Sequence, residues 1–138
     1  MGVAVKNSEY NVRFKDIGGT LKIATTDGDT TLVTVSKTSR TIFIQELWVE
    51  VTVDAAQSWS FEDSNSTPRK IATMPVSPGT GRQNLIPWSP QGVALNEGKN
   101  FVLNVLAAGV EGTVHWEGYE RPTAAAVAAG NRASGIGV

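Results

Sequence analysis

Hydrophobic and polar residues alternate with a period of two along most of the chain, and amphipathic helical spacing appears nowhere over a useful length. The run YNVRFK places Tyr10, Val12 and Phe14 on one face, and AQSWSFED and GTVHWEGYE repeat the pattern further on. Successive side chains of a β-strand point to opposite faces, so each run is typical of a strand with one apolar face. The alternation predicts an all-β protein.

The strongest of these runs, TIFIQELWVEVTVD, changes phase in its middle. Its apolar residues occupy even positions before Gln45 and Glu46 and odd positions after them. A β-bulge at Gln45 and Glu46 would turn Phe43 and Trp48 outward and gather six aliphatic residues in one core: Ile42, Ile44, Leu47, Val49, Val51 and Val53. A regular strand is the alternative, and a second apolar face carrying Trp48 would then itself need a cover.

Turn residues divide the remaining runs. Gly18-Gly19 is expected to end the first strand, and Asp27-Gly28 between TLKIAT and TLVTVSK predicts a tight hairpin, since such turns need positive φ. Pro75 and Pro87 cannot donate a ladder hydrogen bond, so IATMPV and NLIPW should be edge strands or extended loops. NFVLNVLAA is apolar on both faces and predicts a central strand.

Together these runs make about eight short strands with turn signals roughly every ten residues. Unequal connections favour a jelly-roll or related Greek-key β-sandwich over an up-and-down barrel. The sandwich is expected to span residues 10–121, with an N-terminal arm at 1–9 and an Ala/Gly-rich C-terminal arm at 122–138. The alternative for the second arm is a disordered tail, because its composition buries little apolar surface.

Composition removes several classes of function. The 138 residues include no cysteine, which excludes disulfides, Cys-ligated metals and thiol nucleophiles. Twelve basic and thirteen acidic residues are scattered along the chain, so no basic footprint for nucleic acid is present. No apolar run approaches the roughly 18 residues of a membrane span, and the N-terminus lacks a signal-peptide pattern. We therefore expect a protein made in the cytoplasm of its producer, with neither nucleic acid nor membrane as partner.

Candidate chemistry is sparse. The single histidine, His115, falls on the polar face of its strand, and without cysteine or a second histidine we expect no metal site and no cofactor. No nucleophile elbow is present, so no catalytic residue is assigned and a non-enzyme is expected. One alternative stays open: Glu46 and Glu50 flank Trp48 on one strand face, an arrangement that a hydrolase could use.

The aromatic residues are more informative. Trp59 and Trp116 are in phase with apolar neighbours and should lie in the core, whereas Trp48 and Trp88 do not follow that phase. Aromatic side chains are enriched where protein surfaces meet. The alternative is a sheet face covered by the chain's own loops. The candidate interface residues are Phe43, Trp48, Trp88 and, in the C-terminal arm, Val127.

Several features follow one another in a familiar order: TIFIQELWVEVTVDAAQSWSFEDS, then SPGTG, then WSPQGVALNEGKNFVLNVLAAGVEGTVHWEGYE. This order resembles the small β-sandwich virion structural proteins of tailed bacteriophages. The resemblance implies a capsid decoration, or cement, protein that binds the major capsid protein as a homotrimer or homodimer on the outer capsid surface. The alternative is a carbohydrate- or receptor-binding module of a phage tail or fibre, with Trp48 or Trp88 stacking on a sugar.

Overall fold

The computed structural model describes residues 14–24, 28–55, 58–105 and 109–122. The expected arms, 1–9 and all but the first residue of 122–138, lie outside these ranges, and so does Val127. The described residues contain no helix. They form nine strands: β1 Lys15–Ile23, β2 Thr30–Val33, β3 Arg40–Val53, β4 Trp59–Asp63, β5 Lys70–Thr73, β6 Gly81–Ile86, β7 Val93–Ala94, β8 Phe101–Val105 and β9 Glu111–Pro122.

Two antiparallel sheets make up the fold. The front sheet has the order β1-β9-β3-β6, with the short β7 also paired to β3, and the back sheet has the order β2-β8-β4-β5. If the two-residue β7 is set aside, the other eight strands divide four and four, and the chain crosses between sheets in the order of a jelly roll. The all-β sandwich predicted from alternation is confirmed.

The core lies between the two sheets. Trp59 and Trp116 both belong to it, as their phase predicts, and Met74 fills the space beside β4 and β5. The other buried apolar side chains of this core come from six strands and two loops: Ile23, Ile42, Ile44, Leu47, Val49, Val51, Phe61, Ile86, Leu95, Phe101, Leu103, Val110 and Val114. Burial on this scale is the main term that holds the sheets together.

The phase change in β3 is a β-bulge. The register against β9 shifts between Ile44 and Glu46, so that Gln45 has no pairing partner on β9. Five of the six expected aliphatic residues are buried on one face. Val53 is an exception: a second register shift follows Val51, and Val53 is 42% exposed. The alternative of a regular strand is wrong.

Each register shift between β3 and β9 lies beside a glycine of β9. Ile44 pairs with Gly118 and Val51 with Gly112, so seven steps along β3 match six along β9. A Cβ at Gly118 would collide with the carbonyl oxygen of Phe43, and one at Gly112 with that of Glu50. Glycine is needed at both positions because the two backbones approach too closely for a side chain.

Two turn predictions are wrong. Gly18 and Gly19 do not end a strand: β1 passes through them, and Gly19 leaves the space that the Trp116 ring occupies, 2.7 Å from where a Cβ would stand. The runs before and after Asp27-Gly28 do not form a hairpin, because β1 pairs with β9 and β2 with β8 in opposite sheets. A turn dipeptide reports local backbone preference and cannot tell which strand becomes the partner.

Strand positions confirm the other topology predictions. β5 is one edge strand of the back sheet and β6 is one edge strand of the front sheet, and Pro75 and Pro87 lie just beyond their ends. β8 lies between β2 and β4, as its two-sided apolar pattern predicts. The two prolines therefore indicated edge strands correctly, because proline has no backbone N–H to donate to a neighbouring strand.

One buried carboxylate organises the loops at an end of the sandwich. Asp63 is 1% exposed and accepts hydrogen bonds from three backbone N–H groups, those of Asn65 at 3.1 Å, Arg69 at 3.0 Å and Asn96 at 2.9 Å. A buried charge is tolerated where hydrogen-bond donors surround it. The β4–β5 connection and the segment after β7 are thereby fixed to each other.

Candidate functional site

The outward face of the front sheet carries most of the aromatic side chains that are not in the core. Six aromatic residues on this side of the molecule are here together named the aromatic face: Phe14, Phe43, Trp48, Trp88, His115 and Tyr119. Alternation in β3 and β9 and the bulge at Gln45 turn four of these residues away from the core, whereas Phe14 precedes β1 and Trp88 follows β6. Phe43 and Trp48 therefore point outward, as predicted from sequence, while their role in an interface stays a prediction.

A stack of three rings crosses one end of the aromatic face. Tyr119 lies between Phe14 and Phe43, with ring centroids 4.9 Å apart on each side. The Tyr119 hydroxyl donates a hydrogen bond to the carbonyl of Gln91 at 2.7 Å, and the guanidinium of Arg121 lies 5.8 Å from the Phe14 ring. Phe14 is 59% exposed, so the outermost ring of the stack is open to solvent.

A second stack lies further along β3. The guanidinium of Arg82 lies 4.3 Å from the centre of the Trp48 ring, and the His115 ring packs on Trp48 at 4.9 Å with an interplanar angle of 22°. Cross-strand pairing fixes this arrangement, because Trp48 is directly opposite His115. Contact on two sides leaves Trp48 half-buried rather than free in solvent.

Between the two stacks is a hollow of about 410 Å³ with Trp88 on its rim. Trp88 is 58% exposed. The hollow is lined by the remaining residues Asp16, Ile17, Gly18, Gln45, Glu117 and Gly118. Its lining thus combines the indole ring of Trp88, two carboxylates, one amide side chain and two glycines.

The bulge holds the Trp88 loop in place. Because Gln45 has no partner on β9, its carbonyl is free to accept a hydrogen bond from the Ser89 N–H at 3.0 Å. Its side-chain amide donates to the carbonyl of Pro90 at 2.9 Å. The β-bulge at Gln45 thus positions the loop that contains Trp88.

Polar side chains gather beside the hollow. Glu46, His115 and Glu117 each offer a ligand-type atom, and these atoms lie within 4.8 Å of one another. His115 Nε2 is 3.5 Å from Glu117 Oε1, and His115 Nδ1 is 2.8 Å from the hydroxyl of Thr20. Arg82 Nη2 is 4.0 Å from Glu46 Oε1.

Sequence reasoning did not find this cluster. It considered Glu46 with Glu50 on one strand, whereas the structure brings Glu46 to Glu117 across the β3–β9 pair. The signal available was His115 and Glu117 two residues apart, on one face of a strand. The partner strand and its register, which a single sequence does not contain, supply Glu46.

Comparisons with known proteins assign no family. No family model matches the chain, and no curated protein matches it. Among solved structures the chain is similar to the Drosophila NLP-core, described in connection with pentamer formation and histone binding. That match has 12% identity and a TM-score of 0.47, and it covers 80% of this chain and 99% of the other. Within the described ranges, no helix is long and apolar enough to cross a membrane.

Proposed function

We propose that this protein is a non-enzymatic virion structural protein of the capsid decoration type, which binds the major capsid protein through the aromatic face. The proposal rests on the resemblance to small phage β-sandwich proteins and on one structural observation. That observation is the concentration of outward aromatic rings on a single sheet: two ring stacks and the exposed Trp88 share the front sheet.

The back sheet provides a contrast that favours the front sheet as the docking surface. Its outward positions on the paired strands β4 and β8 include Glu62, Val102 and Asn104, none of which is aromatic. Aromatic and Arg side chains are the residues that most often dominate binding energy at interfaces. A partner should therefore gain most by covering the front sheet.

The stacked arrangement also lowers the entropic cost of binding. Trp48 is held between Arg82 and His115, and Phe43 against Tyr119, before any partner arrives. Side chains that are already ordered lose less conformational freedom when an interface forms. The aromatic face is thus pre-organised for contact with a rigid surface.

A decoration protein of this kind stabilises a shell by mass action. It binds the assembled lattice rather than free subunits, so its binding free energy opposes disassembly. Self-association as a dimer or trimer would add avidity, because neighbouring lattice sites are engaged together. Such a protein would be made in the host cytoplasm and reside on the outer capsid surface.

Co-sedimentation tests the proposal with shells assembled from the major capsid protein encoded in the same genome. Wild-type protein should sediment with shells and not with free subunits. Phe43→Ala with Trp48→Ala should reduce binding by at least about 30-fold, the effect of losing about 2 kcal/mol at an interface, while the β circular dichroism spectrum is retained. Val76→Ser is the matched control, because Val76 is 63% exposed in the β5–β6 connection. Unchanged binding of the double variant would refute the assignment.

The hollow favours a second candidate, carbohydrate binding by a tail or fibre module. An exposed indole beside Asp16, Gln45 and Glu117 supplies a stacking surface and hydrogen-bonding groups of the kind that sugars need. A glycan array separates the two functions: a specific signal that Trp88→Ala abolishes supports sugar binding, and silence combined with shell binding supports decoration.

A further inference from the structure

We infer that Glu46, His115 and Glu117 form a binding site for a divalent transition-metal ion, of which Zn²⁺ is the representative, on the outward face of the front sheet. The site joins β3 to β9, since Glu46 pairs directly with Glu117. This inference is independent of the capsid proposal, because it follows from the side chains alone.

The separations of the ligand atoms suit one ion. Zn²⁺ binds imidazole nitrogen and carboxylate oxygen at about 2.1 Å, which places two tetrahedral ligand atoms about 3.4 Å apart. His115 Nε2 and Glu117 Oε1 are 3.5 Å apart. Glu46 completes the group within 4.8 Å, and its flexible side chain needs to close by at most about 1.4 Å.

The surroundings of His115 orient it as a ligand. The Thr20 hydroxyl lies 2.8 Å from Nδ1 and can accept a hydrogen bond from Nδ1–H, and in that tautomer the Nε2 lone pair faces Glu117 and is available to a metal ion. Metal-binding histidines usually donate their other ring N–H in this way, which fixes both tautomer and ring orientation. The Trp48 ring covers one face of the imidazole and restricts its rotation.

The donor set selects the class of ion. Ca²⁺ and Mg²⁺ prefer sites made wholly of oxygen, whereas an imidazole with two carboxylates suits Zn²⁺, Mn²⁺ or Co²⁺. Three protein ligands leave at least one coordination position open to water or to a group from a partner. Arg82 competes for Glu46 at 4.0 Å, so metal binding has to displace part of that ion pair.

The single histidine makes a direct test possible. In full-length protein without an affinity tag, the one imidazole signal in ¹⁵N NMR belongs to His115. Zn²⁺ added at constant pH should shift Nε2 much more than Nδ1, and calorimetry should show one site. His115→Gln and Glu117→Gln should each weaken binding by at least about tenfold. Glu50→Gln is the control on the same face of β3, and its affinity should equal that of wild type.

Two further variants distinguish a metal site with an oriented histidine ligand from non-specific attraction of cations to surface carboxylates. Thr20→Val should weaken Zn²⁺ binding about tenfold through loss of orientation, and Arg82→Gln should strengthen it. Co²⁺ bound at Nε2 should quench Trp48 fluorescence because the rings are in contact, and Trp48→Phe should remove that component of the quenching. Equal Zn²⁺ affinity of wild type and His115→Gln, equal affinity for Ca²⁺ and Zn²⁺, or no Zn²⁺ binding would each overturn the inference.

Discussion

At the scale of single residues, Gly118 shows how closely the two longest strands approach. It lies opposite Ile44 at the bulge, and a Cβ there would collide with the Phe43 carbonyl. Phe43, the residue before Ile44, pairs with Tyr119, and its ring stacks on Tyr119 on the outward face. One glycine thus links the packing of the sheet to the candidate site.

Gly118→Ala should destabilise the protein by roughly 2–3 kcal/mol, because β3 or β9 must move to admit the methyl group. Urea denaturation followed by circular dichroism measures this free energy. Gly28→Ala is the control: a Cβ at Gly28 meets nothing within 4 Å, so its unfolding free energy should stay within about 0.5 kcal/mol of wild type. Equal stability of the two variants would show that the close approach is absent in solution.

The alternation of apolar and polar residues along β3 was the main signal from which part of the candidate site could be predicted. Phe43 and Trp48 were placed outward because the apolar phase changes at Gln45, and the bulge confirms that placement. The cluster of Glu46, His115 and Glu117 could not be found in the same way. Its members come from strands about 70 residues apart, and only the pairing register brings them together.

At the scale of elements, the bulge in β3 connects the core to the Trp88 loop. It keeps the aliphatic residues before and after Gln45 on one face, and it frees the Gln45 carbonyl for Ser89. An extra residue in one strand therefore serves both the core and the outward face.

Deletion of Gln45 should separate those two roles. The shortened strand alternates regularly and keeps Ile44 and Leu47 on the core face, so the sandwich should still fold cooperatively. The Ser89 amide loses its acceptor, and its hydrogen exchange should accelerate by at least about tenfold. Gln45→Ala is the matched control, because it removes the side-chain bond to Pro90 and keeps the backbone bond to Ser89. Retained protection of Ser89 in the deletion variant would contradict this account.

The positions of the strands along the chain were predicted better than the pairing of one strand with another. Alternation located the strands, and Pro75 and Pro87 marked two of the four edge strands. The predicted hairpin around Asp27-Gly28 failed because the partner of β1 is β9, at the far end of the chain. Turn chemistry is local, whereas membership of a sheet is decided by long-range burial.

At the scale of the whole molecule, the jelly roll gives the two sheets different surfaces. Both contribute to one core, but the outward aromatic stacks and the Trp88 hollow are on the front sheet. This asymmetry could be anticipated only in part, since β1, β9, β3 and β6 are brought side by side by crossovers that a single sequence does not specify. The central claim is that this surface is the one a partner covers.

Hydroxyl-radical footprinting of the protein bound to capsid shells tests that claim most directly. Side chains buried at an interface lose access to solvent, so oxidation of Phe43, Trp48 and Trp88 should fall at least about fivefold on binding, while that of exposed Val76 should not change. Protection of Val76 with unchanged oxidation of the three aromatic residues would place the interface elsewhere and contradict the account.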